Sequence, residues 1–346
     1  MPLTDCAPLI IAQEKGFFKQ QGLHVSLDRQ SSWATMRDKL HAGVLDAAQI
    51  LSPMPIASTL GLNGTKANVI APMVLSLNGN AITLSEKLVN KIEQNEFSSE
   101  LSLPMSAGLL KPIIEQRKKQ GRRVKFATVY PHSCHYYQLC TWLEQSNVAL
   151  QDVDIVIIPP VSMVEALQQG DIDGFCVGGP WNAKAVRAGS GVTIATSCDI
   201  WPNAPEKVLG MLASWQQQNP HTTSALIIAL TKACQWLSHI GNRFEAARIL
   251  SQQKYVDIHF SVITPSLIGS CLVRQNQSPR EVTGYNLFSA SKEYSVNKPN
   301  VYYGQWLVSH MDRHQHLDKQ HISHTQLTEI FRQDLYEKAI NIMIDS

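Results

Sequence analysis

Short apolar segments with two different periods alternate along residues 1–80, and this alternation restricts the fold more than any other feature of the chain. Leu9, Ile10, Phe17 and Phe18 fall near helical spacing behind Asp5, a candidate helix cap. Gly16 and Gly22 mark turns, and His24 to Leu27 reads as a strand. Ser31 or Ser32 then caps a second helix with Trp33 in its first turn. Val69 to Met73 and Ala81 to Leu84 read as further strands. Helices and strands in alternation predict βαβ units and a largely parallel sheet.

The alternation continues with a change of place. Residues 85–123 read as helical and charge-rich, with Leu109 to Lys119 amphipathic. Arg122 to Tyr130 is a strand leading into Pro131-His-Ser-Cys-His135, which opens a helix through Leu143. Val153 to Ile158 is a strand, Ser162 caps a short helix to Gln169, and Gly170 to Val177 is a turn and a strand. The chain returns near residues 195–207 and is then mainly helical, over Thr222–His239, Arg243–Gln253 and Thr325–Asp345. This course predicts an α/β, two-lobed clamshell with two crossings at its hinge. The first lobe would take residues 1–81 plus 199–346 and the second 82–198. A ligand would sit between the lobes, beyond the carboxyl ends of strands.

With 346 residues the chain is long enough for two cores, and its net charge of +2 gives no global attraction to nucleic acid or a membrane surface. No apolar run approaches the length of a membrane span. Seven cysteines lack disulfide-framework spacing, which suits reduced, buried thiols and a cytoplasmic location. Met1 to Thr4 read as the remnant of a first core strand. The chain therefore either starts here and stays in the cytoplasm, or has lost an upstream leader and is periplasmic.

Chemistry-bearing residues are scattered. Two helix N-termini near the cleft offer free N–H groups and partial positive charge, which suit a small anion. His132, Cys134, His135 and Cys140 fall within nine residues, but their spacing matches no zinc pattern, and no metal is expected. Cys134 and His135 are neighbours at a helix start and point apart, so they make no nucleophile–base pair. His310, His314, His316, His321 and His324 form a His-rich patch, read as a solvated helix end and loop. Gly178-Gly179 precedes a proline and lacks the lysine of a phosphate loop. No catalytic residue and no cofactor are expected.

Several segments together resemble one known family: Pro2-Leu-Thr-Asp-Cys-Ala-Pro8, Ser32-Trp33 through Asp46-Ala47-Ala48, Leu51-Ser-Pro-Met-Pro55, Asn78-Gly-Asn-Ala-Ile-Thr83, Asp173-Gly-Phe-Cys-Val-Gly-Gly-Pro-Trp-Asn182, Pro205-Glu-Lys-Val-Leu-Gly210 and Phe331-Arg-Gln-Asp-Leu-Tyr336. In order and spacing the chain resembles the nitrate- and bicarbonate-binding receptors of bacterial ABC transporters, and the cytoplasmic nitrate/nitrite sensors related to them. The resemblance implies a periplasmic-binding-protein-like fold of type II. It also implies an anion held by Trp33, Asn80, His135 and Lys207. Trp33 would donate its indole N–H, Asn80 its amide NH2, and His135 a ring N–H, while Lys207 supplies charge. Such a site should hold donors, a positive charge and no competing carboxylate.

Two positions depart from the pattern. Asn80 stands where the receptors often carry glutamine, about 1.5 Å longer in reach. Gly179 stands where many relatives have glutamate. The expected role is the ligand-sensing protein of a nitrate-assimilation regulatory system, with an RNA-binding antiterminator as partner. The alternative is the substrate-binding component of a nitrate or bicarbonate ABC transporter, with a permease as partner. The lysine favours nitrate or nitrite, because a metal-assisted bicarbonate site would place a carboxylate there. A rival from another class is an enzyme like the thiamine-pyrimidine synthases, which share the clamshell.

Overall fold

A computed structural model describes residues 1–62, 64–95, 102–289, 296–317 and 320–345. Two sheets organise it, and the chain passes between them twice. Strands β1 (Ala48–Leu51), β2 (Val69–Asn78), β8 (Pro205–Leu212) and β11 (Asn286–Leu287) form one sheet in the order β1-β8-β2-β11. Strands β3 (Asn80–Ser85), β4 (Val124–Thr128), β5 (Val153–Ile157), β6 (Gly174–Gly178) and β7 (Gly191–Thr196) form the other, in the order β5-β4-β6-β3-β7. Strands β9 (Ser270–Cys271) and β10 (Arg280–Glu281) make a small antiparallel ribbon. Helices flank both sheets, so the molecule is the expected two-lobed α/β clamshell.

The expectation of a largely parallel sheet fails in the first lobe. Every pair in the four-stranded sheet is antiparallel. The reason is β8, which returns from the other sheet and inserts between β1 and β2. The sequence reading missed β8 as a strand and took the chain beyond residue 208 as helical. The five-stranded sheet is mixed: β4 pairs parallel with β5 and β6, while β3 runs antiparallel to β6 and β7.

Local readings fared unevenly. Ser32 caps the helix Trp33–His41 through Thr35 N–H, and Ser133 caps the helix Cys134–Gln145 through Tyr136 N–H. Asp5 caps nothing: it lies in a 3-10 turn, Thr4–Cys6, ahead of the helix Ala7–Glu14. His24 to Leu27 is irregular and joins no sheet. Part of the helical reading of 85–123, residues 96–101, lies outside the described residues. The reading of Thr325–Asp345 as one helix divides into His324–Ile330 and Gln333–Asp345.

The passage from β2 to β3 is a single glycine. Gly79 has φ +99°, and a Cβ there would lie 2.5 Å from the Asn286 side-chain oxygen. Only glycine meets both demands. A buried apolar cluster then runs from one sheet to the other, joining Trp33, Leu51 and Val208 to Cys134, Tyr137, Phe175 and Val177.

All seven cysteines are unpaired and six are buried. Burial raises their thiols, Cys6 and Cys234 to about 12. The six buried ones are packing groups shielded from oxidants, so their reduced state carries no argument about cellular compartment.

Candidate functional site

Between the two sheets lies a box of buried polar side chains. Lys207 is fully buried on β8, opposite Leu51 of β1 and Ser76 of β2. Its ammonium donates to Asp5 Oδ2 at 2.8 Å and to Glu206 Oε1 at 2.7 Å. Glu206 is the hub: its Oε2 accepts from Asn80 Nδ2 at 2.7 Å, and its Oε1 lies 3.5 Å from His135 Nδ1. Trp33 covers the box, with the Lys207 ammonium 5.5 Å from its ring centre. Trp33, Asn80, His135 and Lys207, four residues from four elements, are thus brought together.

Their neighbours differ from expectation. Two carboxylates, Asp5 and Glu206, stand inside a site expected to have none. Glu206 and Lys207 are consecutive on a strand, and strict alternation would send them to opposite faces. The β2–β8 register shifts at this point, between Val74 and Ser76 and again between Ser76 and Leu77, and the local kink brings both side chains to one place. Asp5 reaches the box because its turn is clamped: Thr4 N–H donates to Gly179 O at 2.7 Å. Gln49 on β1 holds Asp5 from below, donating to its Oδ1 at 3.1 Å.

Gln138 is the functional candidate that sequence reasoning missed. It sits one helical turn after His135, on the same face, and is fully buried. Asn80 Nδ2 donates to Gln138 Oε1 at 3.0 Å as well as to Glu206. Both Asn80 amide hydrogens are therefore committed within the box. The amide left open is that of Gln138. The i, i+3 spacing from His135 was the available signal.

Among the described residues, Trp33 Nε1, both ring nitrogens of His135, Gln138 Nε2 and Asn80 Oδ1 are buried with no hydrogen-bond partner. Lys207 uses two of its three N–H donors on carboxylates. Four kinds of donor are thus buried around the Lys207–Glu206 pair. Buried polar atoms of this kind call for a partner, since leaving each unmade costs about 1–3 kcal/mol.

Burial and charge set the protonation states. Burial is the largest influence on Lys207 and lowers it, but Asp5 and Glu206 outweigh it and hold the ammonium above its ordinary value. Glu206 is pushed up by burial, against the pull of Lys207. His135 is driven well below its ordinary value, by burial first and by Lys207 second, and is a neutral ring.

Gly179 is explained by its neighbours. A Cβ there would meet Ser266 Oγ at 2.7 Å and Thr4 Oγ1 at 3.1 Å, so the packing beside the Asp5 turn leaves no room for a glutamate side chain.

The His-rich patch is not a solvated tail. His310, His314 and His316 pack with His132, Tyr136, Tyr137 and Trp201, on the other side of the helix that carries His135. Tyr137 Oη lies 3.0 Å from His316 Nδ1, the His314 and Tyr137 rings stack at 5.7 Å, and His310 lies 4.3 Å from Trp201. Only His321 and His324 are exposed. No group of three or more metal-ligating side chains is gathered among the described residues.

Two lobes joined by two crossings, with polar groups facing each other across the join, define the solute-binding class of clamshell proteins. The chain belongs to the NMT1-like family, whose model matches residues 1–251. It is similar to the crystal structure of the periplasmic nitrate-binding protein NrtA from Synechocystis PCC 6803, with a TM-score of 0.89 and 28% identity over 99% of this chain and 87% of that one. It is 35% identical, over 92% of its length, to the nitrate import ATP-binding protein NrtC of Synechocystis sp., and 38% identical, over 76%, to the bicarbonate transport ATP-binding protein CmpC of the same organism. The chain spans 46% and 38% of the lengths of those two relatives.

Proposed function

We propose that this protein binds nitrate or nitrite in the box around Lys207, as the substrate-binding component of a nitrate ABC transporter. The observation that carries the reading is the set of buried, unpartnered donors gathered near one buried ammonium. Nitrate and nitrite only accept hydrogen bonds at neutral pH, and Trp33, Gln138, His135 and the third N–H of Lys207 all donate. Asn80 acts one step back, orienting Gln138 and Glu206. Gln138 then supplies the amide for which Asn80 is too short.

The transporter role is favoured over the regulatory sensor by the likeness to a protein named as periplasmic and nitrate-binding. A permease is then the partner, with the protein acting on the outer side of the cytoplasmic membrane, in place of an antiterminator and the cytoplasm. We assign the lobes as residues 1–81 with 199–346, and 82–198, closing on the anion so that its binding energy shifts an open–closed equilibrium. Cys134, the thiol beside Glu206, is held neutral by burial first and by the neighbouring Glu206 carboxyl second, which suits a packing group more than a nucleophile.

Calorimetric titration with nitrate, nitrite and bicarbonate tests the reading, repeated with Trp33→Phe. That change keeps the ring over Lys207 and removes one donor. Saturable nitrate or nitrite binding, weakened in the variant, is the expected result. A folded wild-type protein that takes up none of the three anions overturns the assignment.

A further inference from the structure

The box around Lys207 contains more negative charge than an anion site can tolerate. One ammonium faces two carboxyl groups, Asp5 at 2.8 Å and Glu206 at 2.7 Å. With both ionised, the box carries a net charge of −1 before any ligand arrives. A monoanion would then bring it to −2 in a site sealed from water, where like charges repel strongly. Lys207 cannot offset this, because its charge is already matched by Asp5.

We infer, on the reading that the box binds a monoanion, that the anion enters together with one proton, taken from solvent and held on Glu206 against His135. The O–H bond forms on Glu206 Oε1, the oxygen 3.5 Å from His135 Nδ1, and nothing is oxidised or reduced. Proton and anion leave together when the clamshell opens. The box keeps the same net charge before and after binding.

The surroundings single out Glu206. Asp5 lies against the ammonium and accepts from the Gln49 amide at 3.1 Å, so its negative charge is satisfied twice. The groups facing Glu206 are Lys207 beside it on β8, Asn80 on β3, Cys134 and His135 on the helix Cys134–Gln145, Cys176 on β6, and Asp5 from the N-terminal turn. Cys134 and Cys176 are thiols held neutral by burial. Asp5 repels a second negative charge. Burial already pushes Glu206 up, and an anion bound beside it pushes the same way. The neutral ring of His135 can accept the proton's hydrogen bond on Nδ1 while Nε2–H donates to the anion.

By linkage, anion affinity is greatest at low pH and falls as pH rises through the titration of Glu206 in the free protein, about tenfold per pH unit for one coupled proton. Calorimetry of the full chain with nitrate, in two buffers of different ionisation enthalpy, counts the protons. Above the titration of free Glu206, we expect about one taken up per nitrate. Glu206→Gln has no carboxyl to protonate, so proton uptake should disappear and the nitrate affinity that remains, at whatever level, should be flat across pH. Nitrate binding by wild type with no proton uptake at any pH, and affinity independent of pH, overturns the inference and leaves the anion site standing. Uptake that persists in a folded Glu206→Gln protein overturns the assignment to Glu206. Absence of any anion binding in folded wild type fails the underlying site instead. The wild-type proton count decides the coupling even if the variant does not fold.

Discussion

Two polar clusters lie on opposite sides of the helix Cys134–Gln145, and they solve the problem of burial differently. On one side His135 and Gln138 face a lysine with two carboxyl groups. On the other, Tyr136 and Tyr137 face three histidines from residues 310–316. The first cluster keeps charge inside the protein by pairing it. The second stays neutral, with His132, His310, His314 and His316 each lowered by burial to about 4. A paired charge beside open donors is suited to receiving a ligand. A neutral ring stack is suited to holding two parts of a fold together.

Removing the charge should break the first cluster most severely. Lys207→Met leaves Asp5 and Glu206 buried without their cation, and should cost about 3–5 kcal/mol in chemical denaturation along with all anion binding. A variant as stable as wild type would mean that the box is not the closed, dry arrangement described.

Smaller effects separate the donors from their supports. Trp33→Phe and Gln138→Ala each remove one open donor, and each should weaken nitrate by about 5–100-fold in calorimetry. Asn80→Ala should instead act on both stability and binding, because Gln138 Oε1 and Glu206 Oε2 lose their shared amide. Equal effects of Asn80→Ala and Gln138→Ala on affinity, with stability unchanged in both, would return Asn80 to the role of direct donor.

The histidine cluster should show itself through pH. These rings bind no proton in the folded state until pH approaches about 4, whereas unfolded histidines protonate from about 6.5. The unfolded state holds more protons in between, so stability is fully present above pH 6.5 and falls as pH drops toward 4. Replacing one ring, as in His316→Asn, should flatten that fall, by about 2–4 °C in thermal midpoint between pH 7 and pH 5. An unchanged slope would place the acid sensitivity elsewhere.

The same contrast explains what could be read in the sequence. The clamshell and its crossings followed from element order, since apolar periods survive without tertiary knowledge. The four expected ligands came from a resemblance rather than from spacing, and the fold does bring them together. Asp5 looked like a helix cap because Asp is favoured there, and only the tertiary clamp through Gly179 turns it toward Lys207. Glu206 was hidden by the alternation rule, which a register shift suspends. An adjacent Glu–Lys pair within the otherwise apolar strand Pro205–Leu212 was nonetheless a usable sign, because buried charges come paired. Residues 310–316 read as polar because histidine is ambiguous until its neighbours are known.

The place of β8 between β1 and β2 has a consequence for synthesis. In the sheet order β1 and β2 meet only through β8, with Ala48 opposite Gly210 and Val69 opposite Leu212. A growing chain therefore has every strand of the five-stranded sheet in hand before the strand that joins β1 to β2 emerges. The inserted half can assemble first, while β1 and β2 wait as unpaired edges that a chaperone or a second nascent chain could capture. The strand that ends this exposure is the one that carries Lys207, so joining β1 to β2 and building the site are a single late step.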